Sequence, residues 1–171
     1  MWFFGKSKNA LKIELVQIAM ELAEASKDHV KLLLTSMVPH LPNADNKTKA
    51  LLINKITIFN IFIMLQASSA RLKKEPALDF YATYLTFSTA QTTIDSKMYY
   101  SQISQWEKYQ VTQTPVENPE GSLFWEVAKE IASTFHITDE EFIMTIVNIL
   151  MSHLLFLFET LDNLDIKKYK Y

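Results

Sequence analysis

Apolar positions recur every three to four residues from residue 9 to residue 38. Leu11, Leu15, Ile18, Leu22, Ala25 and His29 mark one stripe, widened by Val16, Met20, Ala23, Val30 and Leu34. Glu14, Gln17, Glu21, Glu24, Asp28, Lys31 and Thr35 repeat at the same spacing on the opposite side. This pattern predicts a long amphipathic helix with one wet face. Pro39-His40-Leu41-Pro42 ends it, because proline removes a backbone donor and restricts the residue before it.

A second helix is predicted over 46–72, opened by the capping residues between Asn43 and Asn46. Its middle, Ile56-Thr57-Ile58-Phe59-Asn60-Ile61-Phe62-Ile63, is rich in β-branched and aromatic residues and has the composition of a strand. Helix is preferred here. No turn residue interrupts 47–72, no hairpin partner lies nearby, and the chain has two glycines in all. Pro76 suits the first turn of a third helix. Phe80, Tyr84, Phe87, Ile94 and Met98 carry its inner stripe towards Tyr109, with Leu85, Tyr99, Ile103 and Trp106 alongside. Ser88 to Ser96 is rich in Ser and Thr, so the helix is expected to weaken there, with Asp95 placed to cap a fresh start.

The segment 111–121 contains two Pro and one Gly and predicts a loop. Ser122 caps the next helix, whose Phe124, Val127, Ala128, Ile131 and Phe135 face inward. Thr138 and Glu141 have the spacing of a capping box, with Ile137 and Phe142 as its hydrophobic staple. Asp139 and Glu140 put negative charge at the positive end of that last helix, which is expected to reach Asn163. Residues 142–158 carry no Asp, Glu, Lys or Arg. That run is at the lower edge of membrane-spanning length and is interrupted by Thr145, Asn148, Ser152 and His153, so a central bundle helix enclosed on nearly all sides is expected. The fold class predicted is all-α: a single-domain antiparallel bundle of five or six helices, with the second and last helices most buried. It is flanked by an aromatic and basic segment (1–8) and a polar tail (164–171).

Residues 128–146 resemble the DNA-binding helix-turn-helix motif. Ala132 matches the small residue at the helix crossing, His136 falls at the turn, and Ile137 and Phe142 match the apolar anchors. The resemblance implies a second helix entering the major groove with its first residues on the bases. Here that helix opens with Asp139, Glu140 and Glu141, which repel phosphate, and continues without base-reading side chains. The segment is therefore expected to be a tight helix corner without the reader function. His136 replaces the usual glycine at the turn, a place histidine tolerates better than most residues.

Composition narrows the chemistry further. Across 171 residues, 17 basic and 19 acidic side chains leave a net charge of −2, and Arg71 is the only arginine. Nucleic-acid readers rely on clustered arginine and positive charge, so no nucleic-acid partner is expected. Gly5 and Gly121 alone cannot build a phosphate-cradling loop. The absence of cysteine removes thiol chemistry and thiolate metal sites. His29, His40, His136 and His153 show no helical ligand spacing, and no Glu-x-x-His pair occurs. No catalytic, cofactor or metal residue is assigned.

Two surfaces and one interior line remain as candidates. Tyr100, Trp106 and Tyr109 belong to an aromatic cluster of the type enriched at binding hot spots. Glu21, Glu24 and Asp28, with Glu14, form an acidic ridge suited to a basic partner. Asn148, Ser152 and His153, with Asn60 and Thr57, are expected to form a buried polar seam whose groups satisfy one another or bind ordered water, with a bound ligand or a catalytic His153 as the alternative. These readings point to a cytoplasmic helical protein that binds, inhibits or bridges another protein, with self-association left open. Two alternatives stand beside it. One is peripheral membrane association through Trp2, Phe3, Phe4 and the tail, since Trp and Phe beside Lys suit the membrane boundary. The other is a ligand at the polar seam.

Overall fold

The computed structural model describes residues 8–37, 45–90, 92–109 and 121–163. Trp2, Phe3 and Phe4, the proline-flanked stop at 39–42, most of the loop 111–121 and the tail 164–171 lie outside the described residues. The described chain is all-helical: α1 (Lys8–Met37), α2 (Asn46–Arg71), α3 (Lys74–Thr89), α4 (Ser96–Trp106), α5 (Leu123–Ser133) and α6 (Glu140–Asn163). They pack as one bundle around a single core cluster.

Local chemistry sets the boundaries. Asp45 caps α2 by accepting from the Thr48 amide at 2.7 Å, and Asp95 caps α4 by accepting from the Met98 amide at 2.7 Å. The expected weak point is therefore a complete break, and the third predicted helix is two helices, α3 and α4. Ser122 caps α5 through the Trp125 amide. At the start of α6 the cap is Asp139 rather than Thr138. The Asp139 carbonyl accepts from the Ile143 amide and its side chain from the Glu141 amide, so the helix begins one residue later than the capping-box spacing implies. The corner between α5 and α6 closes as a Schellman motif. The Ile137 amide donates to the Ala132 carbonyl, the His136 amide to the Ser133 carbonyl, and His136 takes the left-handed conformation at φ 58°.

The strand-like run on α2 is helical because its branched and aromatic side chains are wanted on every side. Ile56, Ile58, Phe59, Ile61, Phe62 and Ile63 are all buried. Burial thus overrides local propensity. α1 packs mainly on α3, α2 lies between α3 and α6, and α5 packs on α6. The contact between α1 and α6 is small beside these. Arg71 clamps the far end of α2 to α6: its guanidinium donates twice to Asp162, at 2.6 and 3.1 Å, and lies 4.2 Å over the Phe158 ring.

The last helix departs from expectation. Its apolar stretch has a mean hydropathy of 1.9, long and apolar enough to cross a membrane, yet only 50% of that stretch is buried. The corresponding stretch of α2 has a mean hydropathy of 1.7 and is 67% buried. Thr145, Asn148, Ser152, Leu155, Phe156 and Glu159 are exposed along α6. The helix is a wall of the bundle with an outer face, not a rod enclosed on all sides.

Candidate functional site

The aromatic cluster on α4 divides by burial. Trp106 is only 2% exposed; its ring packs edge-on against Phe59 and Phe62, with centroids 5.7 and 6.1 Å away. It is a core residue, because the inner stripe of α4 carries it onto α2. Tyr100, on the opposite face, is 67% exposed and its ring lies edge-on to that of Tyr99, with centroids 5.3 Å apart. Tyr99 is held by a hydroxyl–hydroxyl contact to Tyr81 of α3. Burial pushes both phenols upward in pKa, so they stay protonated through the physiological range. Tyr109 is half-buried just beyond the end of α4.

Glu130 of α5 was not singled out by sequence, yet three side chains from two other helices converge on it. It accepts from Lys55 of α2 at 2.8 Å, Gln102 of α4 at 2.7 Å and the Trp106 indole of α4 at 3.3 Å. The only signal for it was its position in the helix corner segment, where periodicity marks it as an ordinary surface residue. Its effect is to satisfy the buried indole N–H and to hold α4 on α5.

That fixing leaves two open grooves along the outer stripe of α5. One, of about 490 Å³, is lined by Gln105, Lys108 and Tyr109 with Trp106 beneath. The other, of about 570 Å³, lies towards the start of α6, between Trp125, Ile137, Thr138 and Ile143. Both share Glu126, Lys129 and Ser133 as their common rim. Tyr109 and Trp106 thus meet at one groove, while Tyr100 stands apart on the same helix and does not line it.

The acidic ridge is exposed as the stripe requires, but it is already engaged. Glu24 pairs with Lys27, Asp28 with Lys31 at 2.7 Å, and Glu21 accepts from Gln17 at 3.1 Å. Such exposed pairs contribute little to stability and reduce the field available to a basic partner.

The interior seam does not assemble as expected. Asn148 and Ser152 are exposed, and the Ser152 hydroxyl donates to the Asn148 carbonyl of its own helix. Those polar positions are the wet edge of α6, a result of the missing enclosure. Asn60 and His153 are buried, each 2% exposed, but in different places. Asn60 joins Thr57, Ser26 and Ser88 around a cavity between α1, α2 and α3 with room for about one water molecule. The Tyr84 hydroxyl donates to Ser26 at 2.7 Å there. Burial pushes the Tyr84 phenol up to about 12, with the Ser26 and Ser88 hydroxyls beside it pulling the other way. His153 instead stacks on His29 of α1, with centroids 4.0 Å apart and planes at 14°. Among the described residues no three His, Asp or Glu side chains gather around a common point. Comparisons with known protein families, curated proteins and solved structures give no match to this chain.

Proposed function

We propose that this chain is a protein-binding helical module that receives its partner on the α4–α5 face. One observation carries the reading: two adjoining open grooves share the Glu126, Lys129 and Ser133 rim, with Tyr109 in one of them and Tyr100 exposed elsewhere on α4. Shallow surfaces of mixed polarity beside exposed tyrosine suit a protein segment, whereas small-molecule sites are enclosed and mostly apolar. Tyr109 supplies aromatic contact, with Gln105, Lys108 and Ser133 as polar contacts along the same groove. The role is binding, inhibition or bridging, without catalysis, in the cytoplasm.

The test is retrieval of a partner by the full chain and by the variant Tyr100→Ala plus Tyr109→Ala. The reading requires that the variant melts within a few degrees of the parent and loses the partner. Normal retrieval by the folded variant contradicts it. A second reading, peripheral membrane association, rests on Leu155 and Phe156, which are 45% and 44% exposed on an apolar helix. Sedimentation with anionic and neutral vesicles separates the two, since the protein-binding reading requires the chain to stay in the supernatant.

A further inference from the structure

The stacked imidazoles of His29 and His153 are a largely buried titratable pair to which the partner face gives no role. Both ring nitrogens of His153, and Nδ1 of His29, are buried without a hydrogen-bond partner. A neutral imidazole always carries one N–H donor and one lone-pair nitrogen, so His153 leaves one of each unmade. A phenyl ring at the same place would keep the stack on His29 and the contact with Phe156, whose ring lies 6.1 Å from His153. It would bring no unsatisfied polar atom of its own. What histidine adds at this position is a place for a proton.

Among the described residues, no acidic side chain acts on that proton. His153 is faced by His29 from α1 and by Phe156 from its own helix. α2, packed on the same helix, has no titratable side chain between Lys55 and Arg71. On α5, Glu126 pairs with Lys129 and Glu130 with Lys55. On α1, Glu24 and Asp28 are taken by Lys27 and Lys31. From α3, packed on α1, Asp79 pairs with Lys12 and Glu75 with Lys8. On α6, Asp162 is held by Arg71, and Glu159 lies on the exposed face. Burial lowers both imidazole pKa values, and the charge influence on His153 comes from His29.

We propose that the His29–His153 stack is an acid-sensitive latch between α1 and α6, closed while both rings are neutral and opened by their protonation. His29 is half-buried and offers the proton its entry. A second proton places two cations in stacked rings 4.0 Å apart, with no acidic partner acting on His153 among the described residues. Separation relieves this by breaking a small contact, while α1 keeps its larger interface with α3 and α6 keeps α5 and α2. Opening is therefore local, not a loss of the whole fold.

The experiment is hydrogen exchange of the full chain at pH 7 and pH 5, corrected for intrinsic rates, with His153→Phe and His29→Phe in parallel. In the parent, protection across 26–33 and 149–157 falls at least tenfold more than in α3. In His153→Phe this excess disappears. An equal acid response in His153→Phe overturns the proposal, as does a uniform loss of protection over every helix. A histidine proton NMR titration of the parent provides a second check that needs no variant. Titration of His153 coinciding with the exchange onset supports the latch, and ordinary titration near pH 6.5 with unchanged exchange overturns it.

Discussion

At the scale of single residues, exposure decides which aromatics fold the chain and which remain available. Truncating Trp106 removes a filled core position and leaves Glu130 without its indole donor, so Trp106→Ala is expected to cost about 3–5 kcal/mol in denaturant unfolding. Tyr100→Ala is expected to stay within about 0.5 kcal/mol, because two-thirds of that side chain is already in water. His153→Phe is expected to stabilise the protein at pH 7, by about 1–2 kcal/mol, by deleting an unmade donor and acceptor. The same residue sets a pH dependence. Burial, with His29 alongside, holds its folded pKa down to about 3, against an ordinary value of 6.5. Between those values the unfolded chain carries the extra proton, so stability is full above pH 6.5 and declines as pH falls towards 3. At pH 5 that loss amounts to about 2 kcal/mol, measurable as a lower denaturation midpoint that His153→Phe restores. The residue-level reading of sequence misplaced Asn148 and Ser152 because it took an uncharged run to be a fully enclosed one. It also missed the His29–His153 stack, since periodicity places each ring on an inner face but cannot pair faces from helices so far apart in the chain.

At the scale of elements, side-chain caps and one shared carboxylate do most to set geometry. Asp95→Ala is expected to cost about 1 kcal/mol and to fray the first turn of α4, seen as faster amide exchange at 97–99. Glu130→Ala is expected to cost more, about 2–3 kcal/mol, because Lys55, Gln102 and the buried Trp106 N–H lose their acceptor together. A cycle with Lys55→Met would show coupling, whereas exposed pairs such as Asp28–Lys31 would show next to none. Most element boundaries were legible because each rests on local chemistry: Asp95 and Ser122 cap where the sequence places them, and His136 turns the corner left-handed. The shift from Thr138 to Asp139 at α6 was not legible, since both residues can cap and only backbone geometry chooses. The identity of α2 as helix was readable from the lack of turn residues, against a composition that favours strand.

At the scale of the whole molecule, α2 is deeply enclosed and α6 walls one side, while the lone arginine ties their ends together. The fold class was readable because helical periodicity is a property of each segment alone. The partner face was only half readable. Tyr100 and Tyr109 could be picked out as amphipathic aromatics, but the grooves exist only once α4, α5 and the start of α6 are brought side by side. The central claim is that binding belongs to that face, apart from both the acidic ridge and the apolar wall of α6. A photo-crosslinking side chain introduced in turn at positions 100, 109, 24 and 156 in living cells tests it most directly. The account requires the same discrete protein adduct from positions 100 and 109 and none from 24 or 156. Adducts confined to position 24, or lipid adducts at 156, would contradict it.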